Sequence, residues 1–175
     1  MLSVDKTGKG RWQIWDALFD HVVLATPAWD AAHLMATLNP AWSQTANDLT
    51  YEAIATVYIQ MPRDFKLPQP MLSLPSSKEA PAQFVFDKGA LSSQHGMLAA
   101  VVSACTADRD EVTQQVRAQV CEQLGLQHLE IIQTVVEKRA TLACIPMLDR
   151  PAAFVAEGLW ACGDYTCGPY PSTLE

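Results

Sequence analysis

A short apolar run restricts the fold most strongly. Residues 21–25 (HVVLA) are almost all apolar and do not alternate, which is typical of a strand buried on both faces in a parallel sheet. Thr26 is predicted to cap a following helix and Pro27 to occupy its first position. That helix should stop before Pro40, and a second one is predicted over residues 40–49. The helix residues predicted to face the core are Ala31, Leu34, Met35, Leu38, Trp42, Ala46 and Leu49.

The flanking and central stretches predict strands. Residues 4–15 indicate a hairpin whose turn is residues 6–10. Residues 53–60 alternate at period two, which predicts a half-buried strand of an antiparallel sheet. Five prolines within residues 61–81 exclude a helix there and favour edge strands or loops. Further strand candidates are MLSLPS, AQFVFDKG and GMLAAVVSAC.

The clearest helix is predicted over residues 108–124. Asp108 and Glu111 have the spacing of a capping box, and Gly125 follows as a stop signal. The stretch after it, HLEIIQTVVEKRATLACIP, predicts one long strand or two shorter ones. The helix's apolar stripe comprises Val112, Val116, Val120 and Leu124.

Composition excludes several classes of protein. The 175 residues carry a net charge of -7 and no basic run, which argues against nucleic-acid binding. No apolar stretch reaches the roughly 18 residues that cross a bilayer, and the first ten residues lack a signal-peptide core. The cysteine count is five, which favours free thiols in a reducing cytoplasm. We expect no metal at Cys162 and Cys167, which we interpret as half-buried residues around a turn, and the histidines lie at no ligand spacing.

The tail carries the most chemical information. A short apolar strand precedes Gly163 and Asp164, which would place a carboxylate at the carboxyl end of a sheet, where ligands bind in open α/β folds. Residues 171–173 precede what would be a helix, whose amino end suits an anionic or electron-rich group. The sequence equally allows a plain turn at Gly163 and Asp164 with Ser172 as a helix cap.

The tail LWACGDYTCGPYPSTLE resembles the C-terminal FAD-binding motif of the flavin-dependent amine oxidase and phytoene desaturase superfamily. The segments FDHVVLATPAWDAAHL and VEKRATLACIPMLDRP also resemble parts of that superfamily, in the same order. Within it, the chain is most similar to squalene-associated FAD-dependent desaturases, also described as hydroxysqualene dehydroxylases. This resemblance implies an oxidoreductase that uses FAD, acts on an apolar squalene-like or carotenoid-like isoprenoid and serves hopanoid-type biosynthesis.

The resemblance also implies roles for single residues. Asp164 would hydrogen-bond the ribityl or phosphate part of FAD, and Gly163 would let the backbone approach the cofactor. Thr173 and Leu174 would place backbone N–H groups near the flavin ring. No residue here matches a catalytic motif, so we name no catalytic side chain.

We therefore expect an α/β to α+β fold with two parts. Residues 1–50 and 139–175 would be remnants of a Rossmann-like FAD-binding sheet. Residues 51–138 would form a mixed, largely antiparallel substrate-domain sheet with packing helices and an apolar cavity.

The chain also departs from the superfamily. It contains no G-x-G-x-x-G loop to hold the FAD pyrophosphate, and it stops where the superfamily continues into a helix. We therefore expect an interior-to-C-terminal piece that is inactive alone, holds FAD weakly and self-associates through exposed sheet edges. It would be cytoplasmic or peripheral at a membrane. The alternatives are another amine oxidase branch, or a non-enzymatic α/β domain that binds a lipid or a protein.

Overall fold

The structure is a computed structural model that describes residues 3–8, 10–126 and 129–170. The chain forms two compact units, one of residues 1–50 with 142–175 and one of residues 51–141. We call them unit 1 and unit 2. Together they contain a sheet with parallel strands, a largely antiparallel sheet and helices, so the predicted α/β to α+β class is confirmed.

Unit 1 begins with a three-stranded antiparallel sheet. Its strands are β1 (Asp5–Lys6), β2 (Trp12–Ile14) and β3 (Ala17–Phe19). Lys6 pairs with Trp12, which confirms the predicted hairpin, and Phe19 pairs with Trp12 from the other side. Lys9 of the predicted turn lies outside the described residues.

A second sheet of unit 1 joins one strand from early in the sequence to two strands from late in it. It contains β4 (Val22–Leu24), β10 (Phe154–Ala156) and β11 (Leu159–Ala161), in the order β10-β11-β4. Strands β4 and β11 are parallel, as the apolar run predicted. Burial on both faces was wrong within the described part of the chain: Val22 and Leu24 are buried, but Val23 on the opposite face is 57% exposed.

Two helices follow β4, α1 (Ala28–Met35) and α2 (Pro40–Asn47). The predicted Thr26 cap was wrong. The N-cap of α1 is Pro27, whose carbonyl accepts from the amides of the helix's first turn, so α1 begins one residue later than predicted and Thr26 stands outside it. Asn39 caps α2 through its side chain. The predicted inward residues Ala31, Met35, Trp42, Ala46 and Leu49 are buried, whereas Leu34 is half-buried and Leu38, beyond the end of α1, is exposed.

Unit 2 is built around a five-stranded sheet with the order β6-β7-β8-β5-β9. The pairs β6–β7, β7–β8 and β8–β5 are antiparallel, as predicted. The residues after α4 form one long strand, β9, and the proline-rich stretch supplies the edge strand β6. The elements are β5 (Tyr51–Gln60), β6 (Met71–Ser73), β7 (Phe84–Asp87), α3 (Lys88–Ser92), β8 (Met97–Ser103), α4 (Arg109–Leu124) and β9 (Glu130–Leu142).

The core of unit 2 lies between this sheet and α4. Asp108 caps α4 by accepting from the Glu111 amide at 2.8 Å, and Gly125 ends it in the left-handed region, as predicted. The helix stripe meets one face of β5, and Leu124 of the predicted stripe is half-buried. The fully buried side chains of this contact are Ala55, Val57, Ile59, Val112, Val116 and Val120.

A buried glutamine ties α4 to the loop that precedes β7. Gln119 is only 2% exposed. Its Oε1 accepts from the Ala82 amide at 2.8 Å, and its Nε2 donates to the carbonyls of Ala82 at 2.9 Å and Pro75 at 3.1 Å. One side chain thus satisfies three backbone groups that no strand pairing reaches.

Candidate functional site

The candidate site lies where β4 and β11 end side by side. The Leu24 carbonyl accepts from the Cys162 amide at 2.9 Å, which extends the parallel pairing to the last residue before the turn. Thr26 follows β4, and Gly163 with Asp164 follows β11. Because parallel strands end at the same edge of a sheet, these residues share the edge at which open α/β sheets bind ligands.

The turn after β11 is shaped by Gly163. Its φ is +156°, and a Cβ built there would lie 2.7 Å from Cε1 of Tyr165, whose side chain is buried. The Gly163 carbonyl accepts from the amide of Thr166 at 3.2 Å and from its hydroxyl at 2.9 Å. The glycine is therefore required by the turn itself, since a neighbouring ring fills the space beside it.

Asp164 and Thr26 have unused hydrogen-bonding capacity. The Asp164 side chain is half-buried, and its carboxylate makes no hydrogen bond or ion pair with another described residue. The Thr26 Oγ1 is buried and has no hydrogen-bond partner among the described residues. Since a buried hydroxyl left unpaired is unfavourable by about 1–3 kcal/mol, Thr26 indicates a site that bound water or ligand would complete.

An arginine holds the chain that leaves the turn. Arg150 Nη1 donates to the carbonyls of Thr166 at 2.9 Å and Tyr170 at 3.4 Å, and Nη2 donates to that of Gly168. The Cys167 amide also donates to the Pro151 carbonyl at 2.8 Å. Residues 166–170 are therefore fastened to the segment that precedes β10.

The structure places only part of the predicted site. Gly163 and Asp164 lie together at the end of β11, whereas Thr173 and Leu174 lie outside the described residues. Sequence reasoning missed the position of Thr26, because Thr-Pro before a helix looked like a cap. It also missed Arg150, because a single arginine before a proline has no recognisable sequence pattern.

The cysteines of the tail are corrected by the structure. Cys162 and Cys167 were predicted to be half-buried, but both are exposed, because the turn between them lies at the edge of the sheet and the chain then runs along the surface. Across the described ranges, no group of three or more His, Cys, Asp or Glu side chains is placed to hold a metal ion. No helix in those ranges is both long and apolar enough to cross a bilayer.

Solved structures of other proteins share this fold. A protein assigned as a protoporphyrinogen oxidase, from Exiguobacterium sp. 255-15, superposes with a TM-score of 0.66 at 14% identity, over 95% of this chain and 41% of its own. An oxidoreductase from Methanosarcina mazei gives 0.61 at 11% identity, over 89% and 40%. A Pyrococcus furiosus protein gives 0.64 at 9% identity, over 93% and 40%. At such identities the likeness shows the fold, and the chain spans about two fifths of these structures.

The sequence itself shows the family. The model of the flavin containing amine oxidoreductase family matches residues 4–175, so the chain belongs to that family. Membership implies a flavin cofactor. No functionally curated protein matches the sequence.

The residues at the candidate site fit such a cofactor. A flavin nucleotide carries ribityl hydroxyls that donate hydrogen bonds and phosphates that accept them. The Asp164 carboxylate, which no other described residue binds, can accept from a hydroxyl, and the buried Thr26 hydroxyl has no partner within the described ranges. The adjoining residues of the turn, Cys162 and Gly163, are exposed.

Proposed function

We propose that this chain carries the late-sequence part of the FAD site of an oxidoreductase that acts on a squalene-like or carotenoid-like isoprenoid. The observation that carries the proposal is the carboxylate of Asp164, which no other described residue binds and which lies next to Gly163 at the end of β11, in a chain that the family matches over residues 4–175. The bound flavin would supply the redox chemistry.

The residues of the turn would hold and orient the cofactor. Asp164 would accept hydrogen bonds from the ribityl chain, and Gly163 would present its backbone to the cofactor. For Thr173 and Leu174 the support is the resemblance of the tail, which assigns them backbone contacts near the flavin ring. The five free cysteines agree with a reducing cytoplasm as the compartment.

The two units would then have different roles. Unit 1, which contains β4 and β11, would belong to the flavin-binding part, and unit 2 to the substrate part. The support for an isoprenoid is the resemblance of residues 136–151 to the corresponding desaturase segment. An elongated apolar substrate needs an apolar lining, which a broad sheet with a packed helix can provide.

The pyrophosphate of FAD would need a loop from outside these residues. None of the eight glycines of the sequence forms a G-x-G-x-x-G pattern, and that pattern lets the backbone approach the pyrophosphate. We propose that the 175 residues alone retain FAD weakly and do not turn over substrate.

A visible absorption spectrum tests this proposal. The chain as given, and the chain extended upstream in its reading frame, are each incubated with FAD, desalted and scanned. We expect a flavin spectrum only from the extended chain, weakened by Asp164→Asn and unchanged by Asp149→Asn, an exposed carboxylate in the same unit. Flavin retained by the chain as given, or loss of flavin caused equally by both variants, would contradict the proposal. Assays of the extended chain with a squalene-type substrate and with an amine substrate then show which of the two classes it oxidises.

A further inference from the structure

The half-buried side chain of Arg150 points its charged end at backbone carbonyls. It makes no ion pair with an acidic side chain among the described residues. Its guanidinium donates instead to the backbone carbonyls of Thr166, Gly168 and Tyr170. The rigid fork of an arginine suits such multiple acceptors, which the single ammonium of a lysine cannot match.

Two links join the Arg150 side chain and the adjoining backbone to the turn of the candidate site. Thr166, whose carbonyl Arg150 holds, donates through both its amide and its hydroxyl to the Gly163 carbonyl. Cys167 donates to the carbonyl of Pro151, the residue after Arg150. The position of the Gly163 and Asp164 turn is therefore linked to the guanidinium through one intervening residue.

The segment around Arg150 is itself anchored within unit 1. Trp42 Nε1 donates to the Ala152 carbonyl at 2.7 Å, and Asn39 Nδ2 donates to that of Val155 at 2.9 Å. Both donors lie at α2, which packs next to α1. Arg150 thus joins residues 166–170 to a stretch that α2 already holds in place.

We propose that Arg150 is a positioning residue for the flavin site. By holding residues 166–170 it sets the Gly163 turn and hence the direction of the Asp164 carboxylate. This inference rests on the proposed function, because it assigns to Arg150 an effect on flavin binding. Arg150→Met removes the hydrogen-bond donors and retains a long, unbranched side chain. It should weaken FAD binding about tenfold or more, as expected for the loss of charge-assisted hydrogen bonds.

The test compares Arg150→Met, Arg150→Lys and the control Asp149→Asn in the upstream-extended chain. FAD affinity is measured by quenching of flavin fluorescence, and the shape of the bound flavin's visible band reports its surroundings. We expect Arg150→Met to bind weakly with an altered band, Arg150→Lys to recover part of the affinity, and Asp149→Asn to behave as wild type. A role in stability alone would leave the band of the flavin that still binds unchanged, and that result would overturn the inference.

Hydrogen exchange separates this inference from the proposed function. The amides of Thr166 and Cys167 should exchange faster in Arg150→Met than in Asp149→Asn, with or without flavin. If the extended wild type binds no FAD, the proposed function fails and the flavin effect of Arg150 fails with it, while faster exchange would still support the link to the turn. If exchange of these amides is unchanged, Arg150 does not hold the turn and the inference is wrong.

Discussion

Gly163 has a backbone conformation in which a side chain would collide with Tyr165, two residues further along. The clash is with the ring of a residue that is 2% exposed, so the ring cannot move aside freely. The sequence motif suggested that the glycine leaves room for a cofactor. The structure shows that it also leaves room for Tyr165, so the turn has its shape before any ligand arrives.

Gly163→Ala should therefore destabilise unit 1 even without flavin. The strained φ and the clash together should lower the free energy of unfolding by about 2 kcal/mol. Urea titration followed by circular dichroism measures the change. Gly168→Ala is the matched control, since a Cβ there meets nothing within 4 Å, and it should change stability by less than about 0.5 kcal/mol. Equal effects of the two variants would show that the contact with Tyr165 does not matter.

Single residues of the site were predictable only where a motif carried them. Gly163 and Asp164 were predicted because the tail resembles a flavin-binding motif, since the strand and Gly-Asp pattern alone equally allowed a plain turn, and their role in binding stays a prediction. Thr26 was misassigned, because Thr-Pro before a helix is a good cap signal and only the structure shows Pro27 taking that place. Arg150 was missed, since its partners are carbonyls of residues 166–170 and backbone acceptors leave no trace in the sequence.

At the scale of elements, Gln119 shows how α4 is attached to more than the sheet. Three of its hydrogen bonds go to the backbone of Pro75, within the proline-rich stretch, and of Ala82, directly after it. Prolines lack an N–H, so a proline-rich stretch has fewer backbone donors for regular pairing. The helix therefore supplies hydrogen bonds to this part of the chain through amide side chains, with Gln123 also donating to the Pro75 carbonyl at 2.8 Å.

Gln119→Leu should destabilise unit 2 strongly. It leaves the buried amide and carbonyl of Ala82 unpaired, and we expect a loss of about 2–4 kcal/mol in the free energy of unfolding. Chemical denaturation measures it, with Gln114→Leu on the exposed side of α4 as the control. A loss below about 1 kcal/mol would mean that water replaces the glutamine in these contacts.

Elements with a clear hydrophobic period were predicted best. Strand β5, helix α4 and the pairing of β4 with a parallel strand all follow from local patterns. The exposure of Val23 could not be predicted, because a continuous apolar run indicates two covered faces and does not show whether the covering element is present. Similarly, Leu38 has the spacing of the apolar face of α1, but the helix ends at Met35 and Leu38 is exposed.

At the scale of the whole molecule, the sheets leave apolar side chains at open edges. Strand β9 is an edge of the five-stranded sheet, and its Ile132 and Val135 are 47% and 41% exposed. Long edges with β-branched residues favour strand pairing between chains, and charged side chains prevent it. We propose that this edge contributes to self-association.

Val135→Lys should therefore reduce self-association. Sedimentation velocity over a range of concentrations should show oligomers for the wild type and a shift towards monomer for the variant. Gln114→Lys, which adds the same charge on the exposed side of α4, is the control and should sediment as the wild type does. A wild-type chain that stays monomeric at all concentrations would contradict the proposal.

The larger organisation stays a prediction from the sequence. A change from helical to alternating patterns near residue 50 predicts a different part of the chain from there on, because the two patterns suit different kinds of packing. The assignment of the units to flavin and substrate binding stays a prediction, since it depends on the resemblance and not on a measured contact.

The discontinuity of unit 1 has a consequence for synthesis on the ribosome. Strand β4 needs β11 as its parallel neighbour, and all of residues 51–141 lie between them in the sequence. At translation speeds of about 5–20 residues per second, the edge of β4 that pairs with β11 stays unpaired for on the order of ten seconds before β11 is synthesised. Unit 2 can complete its own sheet during that interval. Strand β4 therefore lacks its parallel neighbour throughout the synthesis of unit 2.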